Sequence, residues 1–516
     1  MKIKTEKGTD LMRKLFLLNE RDKKIFFIIT IYSLLFVFPI ILADVYYVDD
    51  IGRSMSGHAA WIADGRPLMM LMAVVISNGN SLLPVFPVPL LISVILLDYT
   101  LVLLVKKYIK GGTIYSIGLP LCLIFSNWFL LENFSYSFEA LGMIIALCLF
   151  FLLFAFFDCI TKHRYIVSFF ICFCALSIYQ AVLGAYLSLL LLESAYLAFQ
   201  NERIKYIVIR IGKKILPLIA AVFAYKVFFH IWIIVTHSEM AYAAAHAGVV
   251  HIFSQNGLAN LSNNIMGFTS LLESYFYSFG KIPSIILLVC YFCFTFTICR
   301  KYWKNTYKYK SFKIFMCLFF FLLPFILILF SILPFIFLQA PVFAPRVMLS
   351  LTVFFLYVSY MMFSIIREYR WGYIVTVLFL LINLSFSAAY GMILNREDKH
   401  DSQIAQYIVY DLNQIENETQ TRYSQIVFLG SSVPCHELQT AGKKRPLLNR
   451  LIPIYMNNDW YWGKQYLKHY RKDNIDAIKA TDEDRQIPSL ANPVKNNEFY
   501  KIYIEGDRAI IVFPRV

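Results

Sequence analysis

Carboxylates and guanidiniums are concentrated in one short stretch of this sequence, YYVDDIGRSMSGHAAWIADGRPL at 46–68. Asp49 and Asp50 lie within one helical turn of Arg53, and Arg66 follows in the same stretch. A carboxylate can take a proton from a hydroxyl, whereas the planar guanidinium fork matches the oxygens of an anion such as phosphate. Two interpretations are open at this point: ordinary ion pairs of a solvated loop, or a cluster that binds and activates a substrate.

Three further segments place polar side chains beside long apolar runs, where charge is costly unless it faces water or a cavity. They are LLENFSYSFEALG at 130–142, LSIYQAVLG at 176–184 and APVFAPRVML at 340–349. A lysine also falls inside an apolar run, with His230 four residues later on the same helical face. An anionic lipid or a carboxylate is the expected partner of that lysine. The candidates added by these observations are Glu132, Asn133, Tyr136, Glu139, Tyr179, Gln180, Lys226 and Arg346.

The composition of the chain explains why charge is scarce around these candidates. Hydrophobic residues make up 59% of the 516 positions and aromatic residues 17%, which is too much apolar surface for one soluble core. The net charge of +15 comes from Lys and Arg clusters between apolar runs, a pattern that encodes membrane topology and argues against nucleic acid as a partner. Of ten cysteines, nine lie in or at the edge of apolar runs, so no disulfide framework is predicted. The fold class predicted is an all-α polytopic membrane protein.

The length of the apolar runs predicts about eleven transmembrane helices, since crossing a bilayer takes roughly 20 apolar residues. The first run is too long for a signal peptide and follows a basic segment of 24 residues, so we interpret it as a retained anchor. The predicted spans are 25–43, 86–105, 113–131, 137–157, 165–178, 180–199, 215–235, 283–299, 314–338, 347–366 and 372–393.

The distribution of Lys and Arg predicts the orientation, because positively charged connections stay in the cytoplasm. Alternate connections, beginning with residues 1–24, carry 26 Lys and Arg residues, whereas the opposite connections within 25–393 carry only four. The amino terminus is therefore predicted to be cytoplasmic and the first external loop, 44–85, to lie outside. The apolar piece at 66–80 in this loop is too short to cross and suits an interfacial helix on the outer surface.

Residues 394–516 differ in composition from the membrane part, with 17 Lys and Arg against 16 Asp and Glu. Short alternating runs at 425–432 and 499–513 predict strands, and 401–419 predicts an amphipathic helix. We predict a small α/β domain on the outer side of the membrane, with its boundary at LNREDKHD.

The order of the motifs resembles that of a known family. YYVDDIGRSMSG is followed by W…GRPL, LENFSYSFE, SIYQA and PRVMLS. This order, over most of residues 25–390, resembles the bacterial membrane glucosyltransferases that modify O-antigen, a component of lipopolysaccharide, and cause serotype conversion. Residues 394–516 carry no motif of that family, and Glu139 stands where the family tends to have Asp. The resemblance implies a GT-C fold, a polyprenyl-phosphate sugar as donor and a catalytic acid in the first external loop.

The resemblance also implies a reaction, a single inverting displacement on the outer face of the bacterial inner membrane. The expected donor is undecaprenyl-phosphate glucose and the acceptor a polysaccharide hydroxyl, whose proton Asp49 or Asp50 would take. A monophosphate leaving group needs less charge neutralisation than a pyrophosphate, so neither a metal nor a cofactor is expected. The residues expected to bind the phosphate are Arg53, Arg66, Arg346 and Lys226. The residues expected to bind substrate are Glu132, Asn133, Tyr136, Glu139, Tyr179 and Gln180.

Two other functions fit many spans and intramembrane charge. A flippase or transporter of lipid-linked sugar would place its charges near the midplane of the bilayer, whereas these acids crowd at one face and the hydropathy shows no inverted repeat. An O-antigen ligase or an acyltransferase is the other alternative. Acyltransferases of this kind use a membrane-embedded histidine, and only His230 of the nine histidines lies in a predicted span.

Overall fold

The computed structural model of the protein is mostly helical. It describes residues 16–160, 163–236, 246, 248–251, 254–305, 310–458, 460–471 and 476–514. The helices up to residue 419 are α1 (Glu20–Ala43), α2 (Asp49–Ser56), α3 (Pro67–Ser77), α4 (Val88–Tyr108), α5 (Ile114–Leu121), α6 (Leu130–Ser135), α7 (Ala140–Phe156), α8 (Arg164–Ile178), α9 (Leu183–Phe199), α10 (Ile204–Thr236), α11 (Gly257–Phe279), α12 (Lys281–Asn305), α13 (Lys310–Ile336), α14 (Thr352–Glu368) and α15 (Trp371–Thr419). Short 3-10 segments at Cys122–Ser126, Gln180–Val182 and Pro345–Leu351 extend α5, α9 and α14.

Within the described part of the chain, eight helices are long and apolar enough to cross a membrane. They are α1, α4, α9, α10, α12, α13, α14 and α15, where α9 and α14 include their 3-10 turns. Four shorter apolar helices accompany them, at Pro67–Ser77, Ile114–Ser126, Ala140–Phe156 and Arg164–Ile178. Each of the eleven predicted spans coincides with one of these helices, although three of the eleven fall below the usual spanning length. The predicted polytopic helical fold is confirmed.

One long helix was not predicted from the sequence. α11 lies in what was interpreted as an external connection, and its Asn and Ser residues keep its hydropathy below that of a span. Asn264 in α11 donates from Nδ2 to the carbonyls of Ile336 and Leu338, at 2.8 and 2.7 Å. Phe268 and Leu271 lie on the same face of α11 as Asn264 and are buried with it.

The last membrane helix extends well beyond the bilayer part of the sequence. α15 runs for 49 residues, and the predicted domain boundary at 394–401 falls inside it without a break in the backbone. No proline or glycine occurs between residues 392 and 419, so the change from apolar to charged residues alters the surface of the helix and not its course. The division of the chain into domains stays a prediction.

A small sheet follows α15, as predicted. The elements in chain order are β1 (Gln425–Leu429), α16 (His436–Lys444), α17 (Leu448–Leu451), α18 (Tyr461–Leu467), β2 (Asp476–Ala477), α19 (Asp482–Leu490), β3 (Lys495–Asn496), β4 (Lys501–Glu505) and β5 (Arg508–Val512). The strand order is β2-β1-β5-β4-β3, with β1 parallel to both neighbours and the β5-β4-β3 pairs antiparallel. We call residues 420–514 the C-terminal part.

The C-terminal part packs directly on residues 44–85, the loop that was predicted to be external. Tyr47 donates its hydroxyl to the carbonyl of Leu451 at 2.6 Å, and the N–H of Val48 donates to the hydroxyl of Tyr455 at 2.9 Å. Two residues in α15 support this contact: Asn395 donates to the carbonyl of Ala43 at 2.7 Å, and Asp401 accepts from the N–H of Tyr455 at 2.7 Å. The long helix thus holds the C-terminal part over α2.

Candidate functional site

A cavity of about 1140 Å³ lies between the first external loop and the C-terminal part. One wall is charged and comes from the loop, from the segments around α6 and α7, and from the segment before α14. The charged side chains of this wall are Asp49, Arg53, Asp64, Arg66, Glu132, Glu139 and Arg346. The cavity exceeds the usual range of roughly 300–1000 Å³ for small-molecule sites. It has room for more than one sugar ring.

Glu139 connects two of the arginines. Nη1 of Arg53 lies 2.7 Å from one carboxylate oxygen, and Nη1 of Arg66 donates to the other at 3.0 Å. The indole N–H of Trp61 also donates to Glu139, at 2.9 Å. The guanidinium of Arg53 lies over the Trp61 ring at 4.6 Å and that of Arg66 over the Tyr179 ring at 5.1 Å, so both forks are held from two sides.

Arg346 is held in the same manner by Glu132. Its Nη1 donates to the carboxylate at 2.9 Å and to the hydroxyl of Tyr136 at 2.6 Å, and its backbone N–H donates to Glu132 at 2.8 Å. Asn133 and Tyr179 both donate to its carbonyl, at 3.1 Å. Nε and Nη2 of Arg346 have no hydrogen-bond partner among the described residues, and 21% of the side chain is exposed in the cavity wall. Half of the fork therefore remains available to an anion.

Asp49 and Asp50 have different environments although both begin α2. Asp49 lines the cavity with 27% of its side chain exposed, and its Oδ2 lies 3.6 Å from Nη1 of Arg53. Burial and the nearby Glu139 carboxylate raise the pKa of Asp49 above its usual value. Asp50 is fully buried outside the cavity and accepts from the N–H of Ser137 at 2.6 Å. Burial raises the pKa of Asp50 to about 8.

The other predicted site residues divide into lining and supporting groups. Besides Asp49, the predicted residues that line the cavity are Arg53, Arg66, Glu132, Glu139 and Arg346. The predicted residues that support the lining from behind are Asn133, Tyr136, Tyr179 and Gln180. Gln180, for example, donates to the carbonyl of Gly65 at 2.8 Å and to the hydroxyl of Tyr225 at 2.6 Å. The supporting residues fix the loop and the arginines and do not reach the cavity.

Lys226 is not brought to this site. Its side chain is exposed on α10 and is absent from the cavity lining, whereas the preceding residue, Tyr225, faces the loop and donates to the carbonyl of Gly65 at 2.7 Å. Placement of Lys226 from the sequence depended on helical phase, and a difference of one position rotates a side chain by about 100°. We therefore assign Lys226 no role in the reaction.

Sequence reasoning missed two sets of residues. The first set is Trp61 and Tyr225, which are uncharged aromatic residues in segments where candidates were selected by charge. The second set is in the C-terminal part, where the run Trp460, Tyr461 and Trp462 lines the same cavity as Asp49. Three consecutive aromatic residues in an otherwise polar segment were the available signal. Within the described ranges, no group of three or more His, Cys, Asp or Glu side chains is arranged to hold a metal ion.

Comparison with known proteins gives a family match that includes these residues. The family model described as Glucosyl transferase GtrII matches residues 38–357, a range that contains every predicted site residue. An uncharacterized 55.3 kDa protein in the gtrB 5′ region of Salmonella phage P22 is 24% identical over 506 residues, covering 96% of this chain and 99% of the phage protein. Similarity to this relative therefore extends through most of the C-terminal part. No solved structure matches the chain.

Proposed function

The chain belongs to the glucosyl transferase GtrII family, which confirms the resemblance of its motifs, and on this premise we propose which substrates it joins and how. The donor is glucose on a polyprenyl monophosphate, of which undecaprenyl phosphate is the bacterial form. The acceptor is a hydroxyl of the O-antigen polysaccharide, and transfer takes place on the outer face of the cytoplasmic membrane. The observation that carries this proposal is the position of Asp49 in one cavity with three guanidiniums.

The phosphate of the donor binds to the arginines of the charged wall. Arg53, Arg66 and Arg346 each use Nη1 for a structural carboxylate, which fixes the fork while its remaining N–H groups can bind phosphate oxygens. Glu139 and Glu132 are thereby positioning residues. Their carboxylates prevent the guanidiniums from moving as the charge on the phosphate grows, which is the arrangement that stabilises a transition state most.

The reaction is a single displacement at the anomeric carbon. The acceptor hydroxyl oxygen attacks C1 of glucose and forms the new C–O bond, while the bond from C1 to the phosphate oxygen breaks and its electron pair leaves with the polyprenyl phosphate. Asp49 takes the hydroxyl proton, and the configuration at C1 inverts. A raised pKa suits this role, because a base is most effective when its pKa is closer to the working pH.

The test is transfer by the purified full-length protein in detergent micelles. Polyprenyl-phosphate glucose and an O-antigen polysaccharide lacking the glucose branch are supplied, and the product is analysed for a new glucosyl linkage. Micelles have no second compartment, so a flippase would form no product there. A new linkage at a rate proportional to enzyme supports the proposal. Unchanged glycan, with lipid-linked glucose moved across the membrane of reconstituted vesicles, would establish the transporter alternative instead.

A further inference from the structure

The cavity that holds Asp49 has a second wall of different chemistry, built by the segment around α18. We call it the amide–aromatic wall, and it consists chiefly of Asn457, Asn458, Trp460, Tyr461, Trp462 and Gln465. Among its described lining residues Arg450 carries the only charge, whereas the opposite wall carries seven charged Asp, Glu and Arg side chains. The two walls therefore suit two different ligands.

The aromatic members of this wall are rigidly supported from behind. Trp460 stacks on Tyr455 with ring centroids 5.5 Å apart and planes 9° apart, and Tyr455 stacks in turn on Tyr466 at 4.9 Å. Trp462 packs over Gly52 in α2, where a Cβ atom would come within 2.9 Å of the indole ring. These contacts fix the rings before any ligand arrives, which limits the entropy lost on binding.

The side-chain amide of Gln465 is the strongest indication that this wall binds a polar ligand. Only 8% of this residue is exposed, it lines the cavity, and its side-chain amide has no hydrogen-bond partner among the described residues. Neither amide atom of Gln465 is among the fully buried polar atoms that lack a partner, so the amide is open to the cavity and can hydrogen-bond to a ligand there. A ligand hydroxyl in the cavity would supply both the donor and the acceptor that the amide lacks.

We propose that the amide–aromatic wall is the acceptor subsite, which holds neutral sugar rings of the polysaccharide with one hydroxyl directed at Asp49. This inference rests on the proposed function. A sugar ring has an apolar C–H face that packs on an aromatic ring and hydroxyl edges that both donate and accept hydrogen bonds, as side-chain amides do. An anionic ligand would instead require several cations, and Arg450 is the one Lys or Arg among the described residues of this wall.

The subsite adjoins the short helix that carries Asp49. Trp462 covers Gly52, which is one residue from Arg53 and three from Asp49 on the same short helix. A sugar ring resting against this wall thus faces Asp49, while the donor phosphate occupies the arginines on the charged wall. The C-terminal part, which carries no motif of the glucosyltransferases, would then determine which polysaccharide is modified.

The test separates the acceptor from the donor by their kinetic constants. Tyr461→Ala removes a ring that is 53% exposed, and Gln465→Met replaces the amide with an apolar group of similar size. Each variant should raise the acceptor KM by about fivefold to tenfold, with the donor KM within twofold of the wild type. The matched control is Tyr410→Ala, since Tyr410 is 69% exposed in α15 and does not line the cavity.

Stability provides a second readout for Gln465→Met. If the amide serves a ligand, its removal should leave the melting temperature unchanged or higher while the acceptor KM rises. An acceptor KM equal to that of the wild type in both variants would overturn the proposal. An equal rise in the donor KM would also overturn it, because it would place the wall on the donor side of the cavity.

Direct binding distinguishes failure of this subsite from failure of the proposed reaction. Delipidated O-antigen polysaccharide is titrated into the full-length protein without donor and followed by calorimetry. Binding that weakens in Tyr461→Ala and not in Tyr410→Ala supports the subsite even if no transfer is detected. Transfer by the wild type together with equal polysaccharide binding by both variants would reject the subsite and leave the reaction standing.

Discussion

At the scale of single residues, the two aspartates that begin α2 illustrate how surroundings decide chemistry. Asp49 faces a polar cavity beside a guanidinium, whereas Asp50 is enclosed by protein and one of its oxygens, Oδ1, has no partner among the described residues. A carboxylate without access to a substrate cannot act as its base. Asp50 instead fixes the turn before α7 through its contact with Ser137.

The raised pKa of Asp50 predicts how stability depends on pH. A folded-state pKa of about 8 exceeds the ordinary value of 3.8, so the stability contributed by its neutral form is complete below pH 3.8 and is lost as pH rises through 8. Asp50→Asn imitates the neutral form, and its Oδ1 can still accept from Ser137. As the pH rises from 6 to 9, the difference between the melting temperature of the variant and that of the wild type should therefore increase in favour of the variant, with both proteins in the same detergent. A constant difference over this range would contradict the assignment.

Arg346 should be sensitive to substitution by lysine even though the charge is retained. Lys can still neutralise Glu132, so the fold should persist, but a two-point contact with phosphate becomes a single one. We expect Arg346→Lys to reduce kcat/KM, and Arg346→Ala to lose about 2–4 kcal/mol of transition-state stabilisation. Rates with purified donor lipid measure this, with melting temperatures recorded alongside.

Arg396→Ala is the control for these Arg346 variants, because Arg396 is an exposed arginine of α15 that does not line this cavity. A fully active Arg346→Lys enzyme would remove Arg346 from the phosphate site and leave it as an anchor of its helix. Reduced activity in Arg396→Ala of the same size would show that the assay responds to surface charge in general.

The candidate residues could be found from the sequence, but their pairing could not. Acids and arginines beside apolar runs are conspicuous because charge is rare there. Arg346 and Glu132, however, are 214 positions apart, and Arg66 and Glu139 are 73 apart. Only the fold brings such residues together, so the sequence could not distinguish Asp49 from Asp50 or identify Glu139 as the anchor of two arginines.

At the scale of elements, the connection into α2 carries backbone strain next to Asp49, the proposed base. Val48 has φ 49° and ψ −102°, a conformation that a β-branched residue rarely adopts. Its N–H donates to the hydroxyl of Tyr455, which itself donates to the carbonyl of Tyr46 at 3.1 Å. The C-terminal part thus holds the residue that directly precedes Asp49.

Tyr455→Phe tests whether this contact positions the base. The ring and its stacking on Trp460 and Tyr466 remain, while the hydroxyl is lost. We expect kcat to fall by up to about tenfold, the effect of one lost hydrogen bond, with the acceptor KM unchanged. Tyr466→Phe is the matched control, because its hydroxyl contacts Asp398 in α15 and not the loop. Equal kcat values for both variants would exclude a positioning role for Tyr455.

At the scale of the whole molecule, the first external loop and the C-terminal part lie on one side of the membrane, because they are in direct contact. α11 contacts the same side, since its Ser278 accepts from the N–H of Leu447 and its Ser270 accepts from Arg450. If α1 crosses the membrane before the loop, the total number of crossings must be odd. Eight crossings, one for each long helix, would be an even number, whereas the eleven predicted spans satisfy this condition.

Reporter fusions on either side of one helix test this topology. Alkaline phosphatase fused after Gln420, at the end of α15, should be active because it folds only outside the cytoplasm. The same reporter fused after Arg370, at the start of α15, should be inactive. The two fusions differ by a single helix, so equal activities would contradict the assignment of α15 as the last span.

The helices themselves were largely predictable, because apolar length is a local property of the sequence. α11 was missed since its polar residues lower its hydropathy, although one of them, Asn264, is buried against the carbonyls of Ile336 and Leu338 at the end of α13. The packing of the C-terminal part was missed for the same reason as the ion pairs, because Tyr47 and Leu451 are 404 positions apart. Features formed by residues far apart in the sequence can be identified only from the structure.

The central claim is that Asp49 is the base of a glucosyl transfer, and one comparison tests it most directly. Transfer from polyprenyl-phosphate glucose to polysaccharide is measured for purified Asp49→Asn and Asp50→Asn proteins at a temperature well below the melting temperature of each. We predict that Asp49→Asn loses about 10²–10⁴-fold in rate, the usual contribution of a general base, whereas Asp50→Asn stays within a few fold of the wild type. Full activity in Asp49→Asn, or a loss confined to Asp50→Asn, would contradict the account.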